Sequence, residues 1–443
     1  MLPTKFSKRT FLLAAMVAAV LFPPRQAIAQ EKQARQLATA EFDKLHQMIK
    51  PQAGESRWME ITWYPNVWEA RQKAALEGKP LFLWAGSGGA PAAGCCTAGR
   101  GGRAASLWND TNIALIKEHF IAAVVPTWVL RSNSPEGEFL RMCGCQWVTS
   151  SGYMDCVSAG GKHLGHFPST KVLDAFRKLS EEERKPTGGK LASLKSDQHV
   201  LPEPPKNGLV LKVHTRSMSR DEKGVYRKVA LEDFPLWQGG VKTFTEVNHL
   251  FGPNTDYMWI TQAEWQDFIP TNPVKGARHE VGKAVSDRLA LFHLMPRRLT
   301  SEGAGWSKNQ LRTAKLALIV EEVSDKRIRF RAEGSAHLGS IYEADKATTP
   351  NGPLAFGYEA PLHGIVEYDR KRNVISRCDL IALGDVWGRW GDANGKSLTV
   401  ERPGRHPILI AFELAGDAPS DRIPPGGNGA YVAEKSGYFV RPK

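Results

Sequence analysis

The sequence predicts an α/β domain followed by a β-rich domain. Two observations carry this. Between about residues 56 and 185, apolar runs of strand length alternate with amphipathic helical segments, the pattern of a sheet with crossover helices. From residue 209 onward, regularly spaced strand-like runs separated by charged turns replace that alternation.

The elements follow in order. Residues 30–55 are polar with Phe42, Leu45, Met48 and Ile49 at helical spacing, which predicts a short leading helix ending near Pro51 and Gly54. Residues 58–63 alternate and predict a strand. Asn66 with Glu69 three residues later reads as a helix cap, a variant of the capping box; Val67, Ala70 and Ala74 share a face, and Gly78 marks the exit. The run Leu81-Phe82-Leu83-Trp84-Ala85 is apolar throughout, as a strand covered on both faces requires. A glycine-rich loop with Cys95-Cys96 follows. Asn109 or Asp110 caps a second helix (Ile113, Ile116, Phe120), and residues 121–125 form the next strand, before Pro126. Residues 153–157 and 162–164 bracket Gly160-Gly161, a two-residue hairpin signal. Val172, Leu173, Phe176 and Leu179 predict a closing helix.

Residues 186–207 read as a linker, with Pro186, Gly188, Gly189, Pro202, Pro204 and Pro205. The β-rich domain spans 208–443 and is expected to be a sandwich or barrel of α+β type. Its strands are placed at 209–215, 316–322, 327–333, 363–369, 374–383 and 407–414. Two helical pieces interrupt them: a start at Gln262 capped by Thr261, and residues 281–294 with Val285, Leu289 and Phe292 on one face. Trp237, Trp259, Trp265, Trp306, Trp387 and Trp390 are most simply core residues. The stretch from Trp387 to Asp392 is the best candidate for an exposed aromatic edge, because glycine-rich loops lie at surfaces. His249, His279 and His293 are scattered and mark no site.

The chain has 443 residues, 42% hydrophobic and 24% charged, an ordinary globular composition able to bury a core without disulfide staples. Its start reads as an address. Lys5, Lys8 and Arg9 precede an apolar run from Phe11 to Phe22, and Ala27-Ile28-Ala29 is a small-x-small cleavage site, so residues 1–29 are expected to be a secretory signal. Ser7-Lys8-Arg9-Thr10-Phe11-Leu12 also resembles a twin-arginine signal, with lysine at the first arginine. The apolar run is too short to span a bilayer and no other stretch approaches eighteen apolar residues, so no transmembrane segment is expected in the mature chain, and the expected destination is the periplasm or the exterior. Residues 1–29 carry four of the surplus cations (Lys5, Lys8, Arg9, Arg25), which reduces the net charge from +13 to +9. The remaining charges are mixed, as in Glu181-Glu182-Glu183-Arg184-Lys185, and no nucleic-acid module is present, so a nucleic-acid partner is not expected.

The chemical lead is cysteine. Five of the six fall between Cys95 and Cys156, with Cys378 alone in the β-rich part and read as a small buried hydrophobe. The chain has no H-E-x-x-H, G-x-S-x-G, Walker A or C-x-x-C-H motif, and no cofactor is expected.

The order β-α-β, cysteine loop, α-β, then hairpin and helix resembles a thioredoxin-like domain. The segment Trp68-Glu69-Ala70 through Glu77-Gly78-Lys79-Pro80-Leu81-Phe82-Leu83 is similar to the entry of secreted bacterial thioredoxin-family proteins, and Trp108-Asn109-Asp110 with Ile116 and Phe120 is similar to the stretch after their active-site helix. The resemblance covers about 130 residues, 56–185. It implies thiol–disulfide redox work in the cell envelope on protein thiols, with Cys95 or Cys96 as nucleophile and its neighbour or Cys145 as resolver. The chain departs from the family at this site. It has no Cys-x-x-Cys, and adjacent Cys95-Cys96 can bridge only through a strained, easily reduced ring. Pro126 lies too early to be the family's active-site proline.

Three readings of the cysteines stand open. Thiol–disulfide exchange is the first. Structural disulfides, such as Cys95 or Cys96 to Cys143 or Cys145, are the second and would suit a non-catalytic binding or scaffolding protein. Soft-metal binding of Cu(I) or Zn by Cys95, Cys96, Cys143 and Cys145, with Cys156, His163 or His166, is the third.

Overall fold

A computed structural model describes residues 36–84, 109–125, 135–145, 153–168, 176–186, 203–233, 252–296, 306–346, 355–388, 404–425 and 438. Residues 1–29, the Cys95-Cys96 loop, Pro126, Trp237, His249 and Trp390, with most of the linker and closing helix, lie outside them. The chain is an α/β protein with two sheets, one mixed and one large and antiparallel.

The mixed sheet holds β1 (Trp63–Tyr64), β2 (Leu81–Trp84), β3 (Ile121–Val124), β4 (Tyr153–Val157) and β5 (His163–Pro168) in the order β1-β3-β2-β4-β5. β1, β3 and β2 run parallel, and β4 and β5 form an antiparallel hairpin on the β2 edge. Every residue of β2 and β3 is buried, as their unbroken apolar sequences require. Alternation divides them between two cores. Leu81, Leu83, Ile121, Ala123 and Val157 pack with Val67, Ala70 and Ala74 of α2 (Val67–Glu77) and Phe139 and Leu140 of a further helix, Pro135–Met142. Phe82, Trp84, Ala122, Val124 and Cys156 pack with Ile113 and Ile116 of α3 (Asp110–His119) on the other side.

Local chemistry sets the helix ends. The Asn66 side chain accepts a hydrogen bond from Glu69 N at 2.9 Å and Asn109 accepts from Asn112 N at 2.8 Å, each satisfying an orphan donor of a first turn. Gly78 closes α2 at φ +66, in the left-handed region where glycine is unstrained.

Three sequence expectations change here. Residues 58–63 are not a strand: Arg57–Glu60 is a single 3-10 turn, entered through Ser56 at φ 48 and closed by an Arg57–Glu60 ion pair three residues apart. Only Trp63–Tyr64 pairs. The helix Pro135–Met142, α4, was not expected. The β4–β5 connection is longer than a two-residue turn: Ser158 N bonds Lys162 O, and the pairing slips between Cys156 and Val157.

The second sheet contains β6 (Leu209–Arg220), β7 (Tyr226–Lys228), β8 (Asn254–Ile260), β9 (Arg278–Glu280), β10 (Leu311–Val323), β11 (Arg327–Gly339), β12 (Gly357–Asp369), β13 (Val374–Trp387) and β14 (His406–Leu414). Its order is β7-β6-β14-β13-β12-β11-β10-β9, with β8 also on β6. Among the described residues the sheet is open, with no closed barrel, because β9 at one edge pairs only with β10. One face packs around a half-buried helix, α6 (Lys283–Arg288), which continues as a fully buried π turn, Leu289–His293. Val285, Leu289 and Phe292 meet Leu211, Leu318, Phe330, Leu380 and Ile410 there, so a helix fills the space a second sheet would occupy. Gln262–Gln266, α5, starts in a full capping box between Thr261 and Glu264. Trp259, Trp265, Trp306 and Trp387 are all buried. Trp387 is therefore no exposed edge. It is the final residue of β13, with the Arg405 guanidinium 5.0 Å from its ring.

The other face carries α1 (Thr39–Ile49), whose Phe42, Leu45 and Ile49 pack on Met218, Ile365, Ile381 and Leu409. Buried Arg216 of β6 secures its end, donating to Ile49 O at 2.9 Å, Lys50 O at 2.8 Å and the Glu55 carboxylate. Those carbonyls are among the orphan acceptors of a helix C-terminus. Glu413 of β14 accepts from Lys50 Nζ at 2.5 Å and faces His214 Nε2 at 3.1 Å. Next to this, Tyr257 and Ile423 enter the core beneath the first sheet, and Arg422 pairs with Glu69 at 2.5 Å. From Leu37 on, the chain is one compact unit. No helix among the described residues is long and apolar enough to cross a membrane.

Candidate functional site

Among the described residues, a thiol, a carboxylate and an imidazole come together on the α2–α4 face of the mixed sheet. α4 ends in a Schellman turn: Gly144 takes φ +75, its N–H bonds Arg141 O at 2.9 Å, and Cys145 N bonds Leu140 O at 3.0 Å. That turn fixes Cys145 against the apolar core of this face. Cys143, one residue before the glycine, is buried in the same core.

Asp155 sits in the middle of β4, opposite Leu83 of β2 and His166 of β5. Alternation points it to the same side as Val157, while Cys156 enters the opposite core. His163 opens β5 opposite Val157, and its Nε2 lies 2.9 Å from Asp155 Oδ1. One donor atom each of Cys145, Asp155 and His163 lie within 4.8 Å of one another. Asp155 is buried at 2% exposure, and Cys145 and His163 are half-buried, so the group has one dry side and one wet side.

The electrostatics favour protonated thiols. Burial pushes Cys143 up to about 11, and the nearby Arg71 charge offsets it only in part. Burial, then the Asp155 carboxylate, pushes Cys145 and Cys156 up as well. Arg71 is itself buried: its guanidinium lies 4.4 Å from the Phe139 ring centre and its Nε donates to Ala159 O at 3.2 Å. Cys378 is buried in the second sheet and pushed up to about 12 by desolvation.

Of the residues singled out from sequence, Cys95 and Cys96 lie outside the described residues. Cys143 and Cys145 come together at the end of α4. Cys143, Cys145, Cys156 and Cys378 are free thiols. Cys156 faces away from Cys145. The side chain of His166 lies outside the described residues. Asp155 was not foreseen, and its only sequence signal is its place one residue before Cys156 in an alternating strand. His293, scattered in sequence, lies in a second buried polar group, with Nε2 2.8 Å from Tyr438 Oη and Nδ1 3.5 Å from Asp256 Oδ2.

A thiol, an imidazole and a carboxylate so arranged can pass a proton or hold a cation. No family model matches the chain, and neither does any curated protein or solved structure.

Proposed function

We propose that the chain is an exported protein whose residues 56–185 form a thioredoxin-like domain that exchanges thiols and disulfides with proteins of the cell envelope. The observation that carries this reading is the strand order β1-β3-β2-β4-β5, with three parallel strands and an antiparallel hairpin. Parallel strands followed by a hairpin support the element order on which the resemblance rests. The helices support it too, since α2 and α4 cover one face and α3 the other. The Cys95-Cys96 loop follows β2, the central strand, and open α/β sheets hold their sites beyond the carboxyl ends of their strands.

In this reading Cys95 or Cys96, as thiolate, attacks a disulfide of a partner protein. A mixed disulfide forms and one partner sulfur leaves as thiolate. The neighbouring cysteine, or Cys145, then attacks the mixed disulfide, releasing the reduced partner and leaving the chain oxidised. The reverse sequence oxidises a partner dithiol. Cys143 and Cys156 are buried and burial raises the half-buried Cys145 thiol, so the first attack is assigned to Cys95-Cys96.

Mass mapping of disulfides after mild reduction tests the proposal, together with exchange against a disulfide-linked protein substrate. A readily reduced Cys95-Cys96 couple and loss of exchange in C95S/C96S are expected. Bonds at Cys95 and Cys96 that resist mild reductant, or exchange unchanged in the double variant, would overturn it. A binding or scaffolding role for the same fold would then replace it.

A further inference from the structure

We infer that Cys145, Asp155 and His163 form a binding site for a thiophilic divalent cation, with Zn2+ as its best match. The inference needs no chemistry at Cys95 and Cys96; a metal on Cys145 removes that thiol as resolver and leaves the role to the neighbour of the attacking cysteine.

The geometry comes first. The three donor atoms already lie within 4.8 Å of one another. Bonds of about 2.0–2.3 Å to a tetrahedral ion set its donors roughly 3.3–3.8 Å apart. Side-chain rotations of about an ångström therefore close the set. The donors also stand on fixed backbone. Asp155 lies in a strand paired on both sides, His163 opens the strand beside it, and Cys145 is locked by the Schellman turn at Gly144. The Gly144 turn comes so close that a Cβ there would stand 3.9 Å from His163 Nδ1.

Donor chemistry selects the ion. A thiolate and a carboxylate supply two negative charges and a neutral imidazole supplies none, which balances a dication. Sulfur and imidazole favour zinc-class ions over the hard, oxygen-seeking Mg2+ and Ca2+. Among the described residues no fourth Cys, His, Asp or Glu joins the group. Cys145 and His163 are both partly exposed, so solvent reaches this group. Three protein ligands with one open position is the pattern of zinc sites that bind water or a substrate, not of closed structural sites.

The test uses the full chain, reduced and stripped of metal, titrated with Co2+ and then Zn2+. A thiolate-to-cobalt charge-transfer band that saturates at one ion per chain, and that one equivalent of Zn2+ removes, is expected. C145S should abolish the band, and D155N and H163Q should weaken Zn2+ binding by roughly 10–100-fold or more. D155N keeps the size of its side chain, so it tests the site even where C145S misfolds; circular dichroism checks the fold of each variant. No band, or a band unchanged in both C145S and D155N, overturns the inference. C95S/C96S separates the two proposals. It should keep the cobalt band whatever it does to thiol exchange, and a band lost in that variant would place the metal on Cys95-Cys96 and refute the site.

Discussion

Replacing Glu413 with glutamine removes one charge from the contact between α1 and β14 while keeping the side chain's size. Burial alone would raise the Glu413 carboxyl, but hydrogen bonds from His214 and Lys50 outweigh it and hold it at about 2, against 4.5 for a free side chain. That difference stabilises the fold by about 3 kcal/mol at neutral pH. The side chain is 24% exposed, so solvent screening removes little of it. Because the folded value is the lower one, the unfolded chain takes up the proton first as pH falls. The stabilisation is therefore complete above about pH 5.5 and lost toward pH 2, with about 2 kcal/mol gone by pH 3. Urea unfolding of the wild type and E413Q at pH 7, 5, 4 and 3 measures it. At pH 7 the variant should be less stable by about 3 kcal/mol, and the gap should close by about 2 kcal/mol between pH 5 and 3. Carboxylates common to both proteins, such as Glu55 and Glu264, cancel in the difference. A gap that stays constant with pH would refute the reasoning.

Burial lowers His214 below its ordinary 6.5, so its unfolded form binds a proton first and stability should begin to fall below about pH 6.5, ahead of Glu413; H214Q should flatten that earlier limb in the same urea series. N66A removes the α2 cap and should lower stability by about 1 kcal/mol, read from the urea midpoint. G384A should be far more damaging, at about 3 kcal/mol or more, because a Cβ there would lie 2.1 Å from the Tyr358 ring, and that tyrosine is buried with its hydroxyl on Ile408 O; loss of soluble expression or of the native midpoint reports it. Alkylation of the native protein at pH 8, mapped by mass, should spare buried Cys156 and Cys378 and label Cys145 ahead of both, whereas labelling of all three at equal rates would contradict their burial.

What the sequence disclosed was local. Asn66, Thr261 and Gly78 act within one turn of chain, and each does in the fold what its residue type suggests. Residues 58–63 misled because their alternation matches a strand while Arg57 and Glu60, three apart, favour a turn. α4 has eight residues, too few for its periodicity to stand out beside Cys143 and Gly144. Long-range pairing left no trace in composition: nothing local places β14 between β6 and β13, or makes β8 a neighbour of β6. The same limit applies to the site. Cys143 and Cys145 stood out by residue type, but a lone aspartate in a strand does not. Hairpin pairing brings Asp155 to His163, and the turn after α4 brings Cys145 to both.

The place of β14 also bears on when the protein can fold. β6 is the first strand of the second sheet and β14 the last described one, yet they are hydrogen-bonded neighbours, and His46 of α1 reaches Phe412 O across 366 positions of sequence. Ribosomes add residues at about 5–20 per second, so β6 would wait on the order of ten seconds or more for its partner. Until then one edge of β6 and the face under α1 remain bare. Such a chain gains little from folding as it emerges, because an unpaired strand edge invites association with other chains. Truncations ending before His406 should accordingly aggregate instead of forming a smaller native body.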